Sequence, residues 1–362
     1  MVKVPGHICL PLFLAIFLIL MWQGAACGQQ NQDRRFTDTL LELDIASDPL
    51  LHSLLVFHKG LLIVERYWAG SDLVYGEPQD RAFGPHDLHD LRSCSKSVVG
   101  LLVGIALRDE KIPGAHFPAY TLFPDLKLEQ SEAFTDRHRA IKIRHLLDMK
   151  TGLDWQQHES EDHVNNESKL EGSLNAAEYV WAQPMVSLPG QKFNYNSGAT
   201  ALLGRAIKRG TGNSLEKYAR EKLFSPLEIT KWEWLKDSDG DTAAHYGLRL
   251  TPRDMMKIGR LILQKGKWKG KEVVPKEWIE SLLNYRGKDD SYRSQWWLEK
   301  YTIGNKKYRG IGAKGKGGQQ ILALPELGAV VVATAGHYED REANQRANKF
   351  IRQEIVPKLL LK

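Results

Sequence analysis

The chain has 362 residues, room for one large domain or two smaller ones at roughly 150 residues each. Apolar residues make up 42% and charged residues 26%, a globular balance that excludes collagen-like, coiled-coil and largely disordered chains. The net charge of +6 is spread along the sequence without blocks of like sign, so nothing points to a nucleic-acid partner. Of the three cysteines, Cys9 and Cys27 lie in or beside an N-terminal apolar run and Cys94 stands alone; no disulfide framework is available, and stability rests on packing.

Lys3 precedes an uncharged apolar run over residues 8–22, followed by Gly24, Ala25 and Ala26. That order predicts a secretory signal over 1–27, and a run of fifteen is short of the roughly 20 residues of a spanning helix. Cys27 after Gly-Ala-Ala resembles a bacterial lipoprotein acceptor. The expected location is therefore periplasmic or at the cell envelope, with a lipid on Cys27 as the one membrane contact.

Further along, β-rich runs at 53–58 and 61–68 flank Lys59-Gly60 and predict a two-residue hairpin. Residues 97–107 carry no charge and predict a helix buried on all sides. Helical patterns follow at 143–149, 176–182, 199–209, 214–223, 252–264 and 275–283. Strand patterns return at 294–298, 307–311, 320–324 and 328–334, before an amphipathic helix over about 341–355. Sheet at both ends of a helical middle predicts an α/β (α+β) fold. Its antiparallel sheet domain takes 28–92 and 290–362, a mostly helical domain takes 93–289, and the active site lies between them.

Three motifs carry chemistry. Ser93-Cys94-Ser95-Lys96 is S-x-x-K; three residues on a helix put hydroxyl and amine on one face, and burial favours the neutral amine that can take the serine proton. Ser214-Leu215-Glu216-Lys217 matches the same pattern, but it opens a charged helix and reads as an ordinary N-cap. Tyr195-Asn196-Ser197 sits between Pro189-Gly190 and an apolar helix. Its Tyr can serve as a second proton carrier if nearby cations lower the phenol's pKa, and its Ser as a hydroxyl donor. Lys316-Gly317-Gly318 leads into an apolar strand, where glycines allow close approach of a substrate, the strand N–H can join an oxyanion hole, and Lys316 can hold a carboxylate.

These motifs in this order resemble the penicillin-recognising serine hydrolases, that is, class C β-lactamases, D-alanyl-D-alanine peptidases and related esterases and amide hydrolases. The segments Ile143-Arg144-His145-Leu146-Leu147, Thr251-Pro252-Arg253-Asp254-Met255 and Pro325-Glu326-Leu327 resemble family segments too. The resemblance implies a β-lactamase/transpeptidase-like fold, Ser93 as acylated nucleophile, Lys96 as base or relay, and Tyr195 as second proton carrier. It implies an oxyanion hole from the backbone N–H groups of Ser93 and Gln319, and substrate contacts from Ser197, Lys316, Gly317 and Gly318. No metal or organic cofactor is called for. Ser197 stands where β-lactamases carry Asn, and Gly317 where they carry Thr or Ser. The pattern looks more like the branch that hydrolyses esters and amino-acid oligomers, with a small ester, amide or peptide substrate bearing an anionic group. A β-lactamase, a D-Ala-D-Ala carboxypeptidase and a catalytically silent receptor of the same fold are the alternatives.

Other constellations carry less. His158, Glu159 and His163 miss the H-E-x-x-H spacing by one position, His86 and His89 have no Cys or carboxylate set to complete a zinc site, and His145 reads as a packed helix residue. Gly310 to Gly315 spells G-x-G-x-x-G, yet a strand follows it where a nucleotide fingerprint needs a helix. The basic run from Lys265 to Lys271 around Trp268 reads as a solvated loop.

Overall fold

The computed structural model describes residues 51–74, 77–157, 165–284 and 291–360. The segment 1–27, with Cys9 and Cys27, and the His158, Glu159 and His163 cluster lie outside the described residues.

The chain enters on a hairpin, β1 (Ser53–His58) and β2 (Leu61–Tyr67), turned at Lys59 and Gly60 with φ of 47° and 95°. A second hairpin, β3 (Ala69–Val74) with β4 (Glu77–Ala82), follows, and the sequence pattern gave no sign of it because its exposed strands lack apolar alternation. Short strands β5 (His89–Asp90), β6 (Glu233–Trp234) and β7 (Leu248–Leu250) pair into a three-stranded patch, and β8 (Lys267–Trp268) pairs with β9 (Lys271–Glu272). The lysine-rich run is thus a small hairpin. The closing strands are β10 (Tyr292–Arg293), β11 (Trp296–Ile303), β12 (Lys306–Gly315), β13 (Gln319–Leu324) and β14 (Ala329–Thr334).

Seven of these form one antiparallel sheet in the order β10-β11-β12-β13-β14-β1-β2, so the first hairpin completes a sheet begun by the C-terminal strands. Its central strands are continuous apolar runs because both faces are covered. On one face Leu55, Ile321, Ala323, Val330 and Val332 join the large core with the helices Cys94–Arg108 and Pro252–Leu263. On the other, Leu54, Val56, Leu322, Leu324 and Val331 meet Ala347, Ile351, Ile355 and Val356 of the C-terminal helical segment. The Pro252–Leu263 helix falls inside the 93–289 stretch of the sequence yet packs on β13, β14 and β1.

The Cys94–Arg108 helix is buried from Cys94 to Ala106, which explains the absence of charge over residues 97–107. It starts three residues earlier than the uncharged run, because Lys96 is buried inside it. Helices at Ile143–Leu147, Asn166–Glu171, Ala176–Trp181 and Ser197–Thr211 build the helical side, and Ala176–Trp181 and Cys94–Arg108 both pack on Ser197–Thr211. The last predicted helix runs as Arg341–Phe350 and widens into a π-type turn at Ile351–Ile355.

Candidate active site

Ser93 is the N-cap of the buried helix, but its side chain caps nothing. Arg92 before it has φ of +46°, a sharp left-handed turn, and Ser93 is half-buried. One turn on, the Lys96 amine, with no solvent exposure, donates to Ser93 Oγ at 2.8 Å and to the His245 carbonyl at 2.9 Å. Burial pushes the Lys96 amine down to about 8, against the opposing pull of Glu167 and Glu171. The loop that presents His245 is pinned by buried Arg205, whose guanidinium bonds Asp237 at 2.9 Å, Asp239 at 2.7 Å and the Thr242 carbonyl at 3.3 Å.

Tyr195 is placed by a helix start. Asn196 takes the N-cap position of Ser197–Thr211, its Oδ1 accepting from the Ala199 N–H at 3.0 Å, so Tyr195 stands just outside the helix and Ser197 in its first turn. The half-buried Tyr195 ring stacks on Trp297 at 5.5 Å with Tyr292 edge-on at 5.8 Å and lies 5.2 Å from the Lys96 amine, with its hydroxyl beside the Ser93 side chain. The expectation that cations lower this phenol's pKa does not hold. Burial pushes it above its ordinary range and outweighs the lowering influence of Ser93, so the group is a neutral phenol at neutral pH.

Ser197 is fully buried. Its hydroxyl donates to Glu167 Oε1 at 2.5 Å and accepts from Gln157 Nε2 at 3.0 Å, so it is committed to protein groups instead of being offered to the open side. Lys316 is exposed and bonded to Glu339 at 3.1 and 3.2 Å. Gly317 has φ of +91°, and a Cβ there would lie 2.6 Å from the Tyr338 ring; the position where β-lactamases carry Thr or Ser is closed to any side chain. Gly317→Thr is expected to cost about 1–3 kcal/mol from backbone strain alone, with the ring clash added, and a thermal melt checks it: an unchanged melting temperature contradicts this packing. Gln319 opens β13 opposite Gly315. Its carbonyl accepts from Cys94 Sγ at 3.6 Å and its side chain donates to the Ala335 carbonyl, which fixes Gln319 against the start of the nucleophile-bearing helix. Burial pushes the Cys94 thiol up, away from thiolate chemistry.

Three groups escaped the sequence reading. Glu167 and Glu171, one turn apart on Asn166–Glu171, face Lys96 and His245; Glu167 Oε1 lies 3.9 Å from the Lys96 amine. Glu167 stays below its ordinary range despite burial, because Lys96 is beside it, whereas burial and the Glu167 charge push Glu171 up to about 7. Ligand-type atoms of Glu167, Glu171 and His245 lie within 4.8 Å of one another. No motif marks these residues, since Lys96 and His245 both lie 70 or more positions from the two glutamates.

The second S-x-x-K match behaves as its surroundings implied. Ser214 Oγ accepts from the Lys217 N–H at 3.2 Å as a helix cap, and Lys217 is exposed. His89 is buried against Phe83 at 4.8 Å, His86 is exposed, and His145 Nδ1 accepts from the Lys142 N–H at 3.1 Å. Gly310 to Gly315 lies within β12.

Residues 52–353 match the Beta-lactamase family over most of the chain. The chain belongs to that family. A 6-aminohexanoate-dimer hydrolase from Paenarthrobacter ureafaciens is 27% identical over 289 residues, covering 72% of this chain and 69% of the relative. Among solved structures, a penicillin-binding protein homolog from Caulobacter crescentus superposes with a TM-score of 0.64 at 15% identity, covering 85% of this chain and 91% of its own. EstCE1, a hydrolase with promiscuous acyltransferase activity, gives 0.67 at 15% identity and covers 90% and 100%. These neighbours share the β-lactamase/penicillin-binding-protein fold, and this member of the family is a serine hydrolase.

Proposed function

We propose that the protein is an exported hydrolase that cleaves an ester or a linear amide through an acyl-enzyme on Ser93. The observation that carries this reading is the buried Lys96 amine 2.8 Å from Ser93 Oγ. When the amine is neutral, the contact reverses: the lysine lone pair accepts the Ser93 proton as the oxygen attacks the carbonyl. The Tyr195 phenol, neutral and beside Ser93, hands a proton to the departing oxygen or nitrogen and recovers it through Lys96. Water then repeats the sequence in reverse and frees the acid. The N–H groups of Ser93 and Gln319, at the helix start and the strand edge, receive the oxyanion. Export and a lipid on Cys27 rest on the N-terminal residue order.

The substrate class follows from two positions. Gly317 cannot carry the Thr or Ser that helps hold a β-lactam, and the Ser197 hydroxyl is held by Glu167 and Gln157. Each missing hydrogen bond to a charged group is worth roughly 1.5–3 kcal/mol, enough to suppress β-lactam turnover, whereas a short ester needs only the nucleophile and oxyanion hole. The amide-cleaving relative supports linear amides as the second substrate type. Purified mature protein is therefore expected to hydrolyse short-chain nitrophenyl esters with a higher kcat/KM than a chromogenic cephalosporin. The reverse order returns the protein to the β-lactam-cleaving branch. Rapid mass analysis after mixing with a fluorophosphonate tests the acyl-enzyme directly, and an adduct anywhere but Ser93 overturns it.

A further inference from the structure

We propose that Arg92, the residue immediately before the nucleophile, is the group that receives a carboxylate on the substrate, its guanidinium held ready by Asp90 and by the Tyr338 ring. This deepens the hydrolase reading above and rests on it.

The sequence offered Lys316 for this role, but in the structure that amine is exposed and drawn outward to Glu339. Arg92 is built in differently. Buried Asp90 fixes the main chain by accepting the Arg92 backbone N–H on Oδ1 at 2.8 Å, and its Oδ2 forms an ion pair with the side chain, 3.2 Å from Nε. The guanidinium carbon lies 4.5 Å over the Tyr338 ring. Tyr338, 2% exposed, donates its hydroxyl to buried Asp72 at 2.8 Å and packs its ring against Gly317. A Cβ at Gly315 would be 3.2 Å from the Arg92 Cβ, so the arginine runs along the end of β12. It is stacked above the glycine turn, one residue from Ser93, and still partly open to solvent. Tyr338 thus occupies the space that a residue-317 side chain would need, and brings a cation in exchange.

The polarity of the cleft agrees. Glu167 and Glu171 stand together beside Lys96 and disfavour an anion there, and the Arg92 charge reaches Glu171. A carboxylate within a few bonds of the scissile carbonyl is directed to the sheet side, where a planar guanidinium pre-ordered by Asp90 and Tyr338 can accept it through paired N–H donors. Lysine on a flexible stem gives no such fork.

The test uses two esters with the same leaving group and acyl length: 4-nitrophenyl valerate, neutral, and mono-4-nitrophenyl glutarate, which ends in a carboxylate. Wild-type protein is expected to show the lower KM for the glutarate. Arg92→Gln is expected to cut the glutarate-to-valerate ratio of kcat/KM at least tenfold, through KM, and Arg92→Lys to recover only part of it. An unchanged ratio in Arg92→Gln overturns the proposal, as does a collapse of the ratio in Lys316→Ala instead. Should Arg92→Gln fail to fold by circular dichroism, Arg92→Lys decides alone, a wild-type ratio counting against the proposal. Fluorophosphonate labelling of the wild type separates the two readings. Loss of Ser93 labelling sinks the acyl-enzyme, whereas a labelled enzyme with an unchanged Arg92 ratio sinks only this assignment.

Discussion

Ser93→Ala is expected to lower kcat/KM for a nitrophenyl ester by at least about 10⁴-fold, the scale seen when a nucleophile is removed from groups that act as a unit. The Lys96 amine then loses the Ser93 hydroxyl as an acceptor but keeps the His245 carbonyl at 2.9 Å, so the fold is expected to survive with a near-native melt. Ser214→Ala serves as the control, because Ser214 caps an exposed helix and Lys217 beside it is in solvent; it is expected to cost a cap, about 0.5–2 kcal/mol of stability, and no activity. A Ser93→Ala protein that still forms an acyl adduct assigns the nucleophile elsewhere. The comparison isolates position from pattern, since both serines satisfy S-x-x-K.

The second large effect concerns the proton carriers. Lys96→Ala is expected to reduce kcat by about 10²- to 10⁴-fold, the range for a lost general base, and Tyr195→Phe by a similar factor on substrates with poor leaving groups. Because burial brings the Lys96 amine down to about 8 and only its neutral form accepts a proton, kcat/KM is expected to rise with pH and level off above about 8. Stability moves in the same direction: an unfolded lysine titrates near its ordinary value of 10.5, so between about 8 and that value the unfolded chain binds the extra proton and stability increases with pH. A pH–rate profile flat from 6 to 9 contradicts the neutral-lysine mechanism. Full activity of Tyr195→Phe on amides makes Tyr195 a packing residue of the Trp297 and Tyr292 cluster.

The residues that do chemistry with near neighbours were legible from the sequence. Ser93 and Lys96 are one helical turn apart, and the uncharged run after them could only be a helix covered on all sides. The apolar helix that follows Tyr195-Asn196-Ser197 placed Tyr195 on the loop before it, and the structure added that Asn196 is the cap. The β1–β2 turn was visible in Lys59-Gly60, and the buried strands in their unbroken apolar runs. All of these are local rules of propensity, period and capping, which act over a few residues and need no knowledge of the rest of the chain.

Tertiary structure decided what depends on contacts across the chain. It joined β1 to β14, turned the Ser197 hydroxyl toward Glu167 and Gln157, and brought Glu167, Glu171 and His245 to Lys96. It set Tyr338 against Gly317 from 21 positions away and Asp72 behind Tyr338 from the unanticipated β3–β4 hairpin. Polar side chains from exposed-looking segments have no period by which to be recognised. Their roles arise only when folding removes water from around them and leaves each a specific partner, and the same desolvation moves the Lys96 amine and the Tyr195 phenol in opposite directions from their ordinary values.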